Sequence, residues 1–85
     1  MSGYEVAFHA KAAAEVQGLP ERPYKALYDV LVNLPRDPWG HTYPDRLVDD
    51  PAYRFALFDD GDGVAHVRID EASCRVVVHG VTWIG

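Results

Sequence analysis

From Tyr4 to His9 the segment YEVAFH alternates its apolar positions and is rich in strand formers, the two-residue rhythm of a short β-strand. The rhythm then changes. AKAAAEVQG is built from strong helix formers, and Gly18 stands where a helix C-terminal cap belongs. LPERP interrupts the pattern, with Pro23 placed where a first helical turn tolerates it. A second helix is predicted from about Glu21 to Leu34. Tyr24, Leu27, Tyr28, Leu31 and Leu34 recur at spacings of three and four and form one apolar stripe. Lys25 and Asp29 share another face and are spaced to pair. Pro35 ends the helix, so the two helices make an antiparallel hairpin.

The second half carries strand periodicity. YRFALF places Tyr53, Phe55 and Leu57 on one face and Arg54, Ala56 and Phe58 on the other. In VAHVRID, Ala65, Val67 and Ile69 form a core stripe, with His66 and Arg68 on the opposite face. CRVVVHGVTWIG is apolar on both faces, as a central or doubly covered strand would be. DEAS supplies a turn before it. Between the helices and these strands, residues 35–51 hold four prolines in seventeen positions, a long loop in which Trp39 and Tyr43 are expected to cover an edge of the core.

These elements predict an α+β fold of order β-α-α-β-β-β, a single domain over residues 1–85. The helical hairpin packs on one face of a small antiparallel sheet, and the other face is partly open. Eighty-five residues allow one core of modest stability. No apolar run reaches the roughly 20 residues that span a bilayer, and MSGYEVAF lacks a signal pattern, so the expectation is a cytoplasmic protein with no membrane partner. Cys74 has no cysteine to pair with and is expected to be a small buried side chain of the last strand.

Charge narrows the chemistry. The net charge is −5 and there are eight lysines and arginines, which disfavours broad affinity for nucleic acid and predicts an open face poor in positive charge. DDGDG, residues 59–63, invites a cation-site reading, but no glutamate follows until Glu71, beyond a whole strand. Asp-Gly between two alternating runs is instead a strong hairpin signal. His9, His41, His66 and His79 have no metal-ligand spacing to one another or to Cys74, so neither a metal nor another cofactor is expected. His79 is expected to be half-buried and hydrogen-bonded.

YEVAFHAKAAAEVQGLPERPYKALYDVLVNLPRDPWG resembles the opening of RelE/ParE-superfamily toxins: a short strand, an alanine-rich helix, LP, a longer helix and L..DP.G. YRFALFDDGDGVAHVRIDEASCRVVVHGV is similar to the three-strand meander of the same family. The resemblance covers nearly the whole chain. It implies the toxin of a bacterial type II toxin–antitoxin pair, neutralised by a cognate antitoxin that wraps around it. RelE-like members cut messenger RNA on the ribosome; ParE-like members act on DNA gyrase.

RelE-like ribonucleases carry basic residues on the open sheet face. Arg54 matches the basic residue after the tyrosine of the second strand. Val64 stands where an arginine is usual, Trp83 and Ile84 stand where HR is usual, and no counterpart of the C-terminal tyrosine segment precedes Gly85. The catalytic candidates are therefore Arg54, His66 and Arg68, an imidazole for proton transfer and two guanidiniums for phosphate, with Arg54 expected on the same surface as the other two. The alternative is a solvated strand face in which Arg68 pairs with an acidic neighbour. For a binding module, Trp39, Tyr43 and Trp83 are the expected partner contacts. The charge balance and the missing basic positions favour a toxin that grips a protein or ribosomal target; a ribosome-dependent endoribonuclease or a degenerate, non-toxic domain is the alternative.

Overall fold

The computed structural model describes residues 3–85; Met1 and Ser2, part of the stretch read for a signal pattern, lie outside them. The elements follow the order β1 (Glu5–Phe8), α1 (Ala10–Gln17), α2 (Glu21–Asn33), β2 (Tyr43–Pro44), β3 (Tyr53–Phe58), β4 (Gly63–Asp70) and β5 (Arg75–Trp83). The five strands form one sheet in the order β1-β5-β4-β3-β2. β2, two residues of the proline-rich loop paired with β3, is too short to leave a periodic signal.

The sheet is mixed rather than antiparallel, because β1 runs parallel to β5. Alternation tells which residues face inward but carries no strand direction. The chain between β1 and its neighbour β5 runs through the helical hairpin and three further strands, so no tight turn imposes antiparallel geometry on the pair. β1 is also shorter than β5. Beyond Phe8, the exposed edge of β5 is closed by α1: Val81 N–H donates to Glu15 Oε1 at 2.8 Å. His9 caps that helix, its Nδ1 accepting the Lys11 N–H at 3.3 Å.

Both helices cover one face of the sheet. Ala12 and Leu27 meet Ala65, Val67, Val76, Val78 and Val81, with Leu34 from a 3-10 turn, Leu34–Arg36, that follows α2. Each fully buried aliphatic side chain contributes about 1.5–3 kcal/mol. The inward set of β5 is Val76, Val78 and Val81, spaced by two and then three. The extra residue is a β-bulge: His66 faces Gly80, Val67 faces Val78, and His79 is left without a partner residue on β4.

DDGDG turns a corner. Asp59, Asp60 and Gly61 all have positive φ, at 56°, 55° and 91°. Asp59 then ties the corner to the rest of the fold, accepting from Arg22 of α2 and, at 2.9 Å, from Trp83 Nε1. On the last rung of this hairpin Phe58 faces Gly63, where a Cβ would overlap the phenyl ring.

Two smaller expectations are corrected. Cys74 is exposed and lies in the turn before β5 at φ 52°, so it is neither buried nor in a strand. Lys25 pairs back to Glu21 at 3.1 Å rather than forward to Asp29.

Candidate functional site

The register of β3 on β4 decides which candidates meet. Arg54 faces Val67, a core residue, while Phe55 faces His66 and Tyr53 faces Arg68. Residues paired across a ladder share a face. Arg54 is therefore on the helix-covered side, and His66 and Arg68 are on the open side. The three do not form one constellation, which corrects the shared surface expected for Arg54. Its guanidinium buckles the long loop: Nε donates to Thr42 Oγ1 at 2.6 Å, Nη2 donates to Thr42 O at 2.8 Å, and the group lies 5.0 Å from the Trp39 ring centroid. Thr42 in turn donates to Pro38 O at 2.7 Å.

On the open side a different group assembles. His79, turned outward by the bulge, lies 6.1 Å from His66 and 5.4 Å edge-on from Tyr53, ring centroid to ring centroid. Lys11 reaches over from α1; its Nζ and the His66 ring both approach the place where a Gly80 Cβ would stand, at 3.8 Å and 3.6 Å. Arg68 completes the set and is 4.0 Å from Asp70 on its own strand, a weak, half-exposed pair. Two cations and two imidazoles thus concentrate on a face expected to be poor in positive charge. Lys11 was missed because helix periodicity does not show where a terminal lysine reaches. His79 did have a signal: a glycine inside a strand pattern, Gly80, marks a bulge.

Environment sets the protonation of this face. Burial holds His79 below its ordinary value, with the His66 charge adding to the effect and Lys11 and Arg68 contributing less. Its Nε2 is buried and has no hydrogen-bond partner, so the expected hydrogen bond is absent. Glu15 is held below the usual carboxylate range, first by the Val81 N–H and then by Lys11. Asp70 is lowered by the hydroxyl and N–H of Ser73 more than by Arg68.

The three aromatic candidates are spread over the molecule. Tyr43 lies on the open face, 5.5 Å from Phe55, beside a hollow of about 540 Å³ that reaches His66. Trp39 is fixed under Arg54, and its Nε1 donates to Glu71 Oε2, which also accepts from Tyr4 Oη. Trp83 is anchored to Asp59. Elsewhere, α2 and the outer edge of β1 enclose an apolar groove of about 330 Å³ lined by Val6, Phe8, Tyr24, Leu27, Tyr28 and Val32. Tyr24 and Tyr28 of the helical stripe thus line an uncovered groove rather than filling the core.

No protein-family model matches the chain, and no curated protein matches it. Solved structures do. A chain of the RelBE2 toxin–antitoxin complex from Mycobacterium tuberculosis is 25% identical, with a TM-score of 0.81 over 96% of this chain and 99% of that one. The isolated RelE toxin of E. coli gives 0.84 at 17% identity, covering 96% of this chain and 85% of that one. A chain of the ParDE system of P. aeruginosa gives 0.71 at 12% identity, covering 96% and 97%. The chain has the fold of RelE and ParE toxins.

In this RelE-like fold the open sheet face carries Lys11, His66, Arg68 and His79. Among the described residues, no three His, Cys, Asp or Glu side chains converge as a metal site would require. None of the helices is long and apolar enough to cross a membrane. Imidazoles beside fixed cations can transfer protons and attract anionic groups.

Proposed function

We propose that this protein is the toxin component of a type II toxin–antitoxin pair. It inhibits growth by engaging a protein or ribosomal target through the open sheet face, and a cognate antitoxin neutralises it by filling the groove between α2 and β1. The pair acts in the cytoplasm, and residues 1–85 work as one domain.

One observation carries this reading. The helical hairpin leaves Phe8, Tyr24, Tyr28 and Val32 exposed around a single groove, while the cationic cluster lies on the sheet surface that the helices leave bare. Apolar side chains clustered this way mark a docking surface. An antitoxin segment is the occupant favoured by the similar structures, solved as toxin–antitoxin complexes from M. tuberculosis, E. coli and Pyrococcus horikoshii. The test is inducible expression with and without the product of the adjacent reading frame. Growth arrest relieved by that product, with the two co-purifying, is the expected result. Unimpaired growth at full expression would count against the toxin reading.

A second reading is favoured by the contact between His66 and His79. Two imidazoles 6.1 Å apart, one of them held neutral, suit an acid–base pair. On a messenger RNA the neutral imidazole, once turned out of the slot that buries its Nε2, would take the proton of a 2′-hydroxyl as that oxygen attacks phosphorus. The other would protonate the departing 5′-oxygen, with Lys11 and Arg68 offsetting the charge that develops. Arg54 has no part in this chemistry. Ribosome-dependent cleavage in a purified translation assay, lost in both His66→Ala and His79→Ala, distinguishes it from binding alone. A supercoiling assay addresses gyrase.

A further inference from the structure

His79 sits in the β5 bulge as an outward ring with no partner residue on β4. Tyr53 presses on it from β3 and His66 from β4. Its Nε2 is sealed from solvent without a hydrogen bond. A neutral imidazole tolerates this slot, because only one nitrogen is left unsatisfied. A protonated one does not: both nitrogens become donors, and a buried, unpaired cation is far more costly than an unpaired acceptor.

The groups around the ring make the charged form worse still. α1 contributes Lys11 and Glu15, β4 contributes His66 and Arg68, β3 contributes the neutral Tyr53 ring, and the connection into β3 contributes Asp45. Lys11 and Arg68 are permanent cations, and His66 joins them when it carries a proton. Glu15 already serves Val81 N–H and Lys11, and Asp45 Oδ1 accepts the Leu47 N–H at 3.0 Å, so neither carboxylate is free to serve the ring alone. The bulge is also mechanically connected. Two residues beyond His79, Val81 places its side chain in the core and its N–H on Glu15, the contact by which α1 closes the sheet edge.

We propose that the His79 bulge is an acid-opened latch: as the pH falls below neutrality, His79 is driven out of its slot between Tyr53 and His66, and the strand from His79 to Val81 loosens its hold on α1. The same movement rearranges the open face and uncovers an imidazole there, so the latch regulates whatever that face engages. It stands whether or not the protein is a toxin, since every element of it lies within the chain.

The direction of the linkage follows from burial. His79 is held below 6.5, so the released ring binds a proton more readily than the latched one. Stability from the latched form is complete above about 6.5 and is lost as the pH falls through that value toward the depressed one.

The experiment follows the His79 ring signals and hydrogen exchange of the Val81 amide by NMR, on the full chain, from pH 8 to pH 5. After correction for intrinsic exchange, Val81 should lose protection by about tenfold for each pH unit by which latching depresses His79. His79→Phe, which keeps a ring against Tyr53 but cannot be protonated, should abolish this loss. His66→Asn should move the His79 midpoint upward and shrink the loss. The proposal is overturned if Val81 protection follows pH identically in wild type and His79→Phe. Should His79→Phe fail to fold, an unmoved His79 midpoint in His66→Asn overturns it equally.

Discussion

Arg54 stands directly across from Val67 in the β3–β4 ladder, which puts its guanidinium on the helix side of the sheet while His66, one residue before Val67, faces the other way. The arginine with a counterpart in the family pattern is thus a loop buckle, and the side chains able to meet a target come from β4, β5 and α1. Arg54→Ala strands Thr42 and the loop carbonyls and removes the cover over Trp39. It is expected to cost about 1–3 kcal/mol in urea unfolding, with hydrogen bonds to a charged group lost from a partly buried site. His66→Ala and Arg68→Ala should each stay within about 1 kcal/mol of wild type, because neither side chain holds a buried partner. In a growth assay those two should reduce toxicity at unchanged protein level, whereas Arg54→Ala should act only through abundance. Equal stability loss in all three variants would refute the division of faces.

Asp59 is the second buckle. Its side chain is 6% exposed, its backbone has positive φ, and it receives both Arg22 and Trp83. Asp59→Asn keeps a residue that tolerates this backbone and an acceptor for the indole, losing only the ionic partner of Arg22. Asp59→Ala loses both acceptors and places an ordinary side chain at a strained φ. Alanine should therefore destabilise by about 2–4 kcal/mol and asparagine by roughly half as much, read from the midpoint of chemical denaturation. An alanine variant as stable as the asparagine variant would show that the corner holds without this side chain.

Much of this was legible before any coordinates. The apolar stripe of α2, the core stripe of β4 and the outward placement of His66 and Arg68 follow from periods of 3.6 and 2.0, and the DDGDG corner from its Asp-Gly turn signal. What escaped has one physical root. Periodicity reports facing only while it stays in phase, and it never reports direction or neighbour. The bulge at His79 breaks the phase of β5, so an apparently two-sided apolar strand is a one-sided strand with a step. The parallel placement of β1 is invisible to alternation, and the face shared by Arg54 depends on register, which only the paired strands define. Trp83 and Trp39 read as contact residues from side-chain type, and side-chain type does not show that each gives its indole N–H to a carboxylate of the same chain, Asp59 and Glu71.

Glu15 offers a test of how α1 closes the sheet edge. Its carboxyl is held down chiefly by the Val81 N–H, so its contribution to stability is complete above about 4.5 and is lost as the pH falls through the lowered folded value. The side chain is 34% exposed, so solvent screening keeps the effect modest. Glu15→Gln retains an acceptor oxygen for Val81 but has no charge to titrate. Its melting temperature should lie slightly below wild type at pH 7, and the gap should close between pH 5 and pH 3. A gap that stays constant across that range would mean that Val81 is bound no better by the ionised carboxylate. This window lies below the one assigned to His79, so the two effects separate on the pH axis.

The groove between α2 and β1 makes the sharpest prediction about partners. Tyr28 is 59% exposed and Val32 is 49% exposed, so aspartate at either position removes little buried contact and should change stability by no more than about 0.5 kcal/mol. Against an antitoxin segment the same substitution puts a charge into the apolar centre of the contact. A hot-spot loss of about 2–4 kcal/mol corresponds to a thirtyfold to thousandfold weaker complex. Tyr28→Asp and Val32→Asp should therefore melt like wild type, remain toxic when expressed alone, and resist neutralisation by the adjacent gene product. Calorimetric titration of that product against each variant supplies the affinity directly. Neutralisation at wild-type affinity by both variants would remove the groove as the docking site and leave the toxin reading untouched, since growth arrest is measured separately.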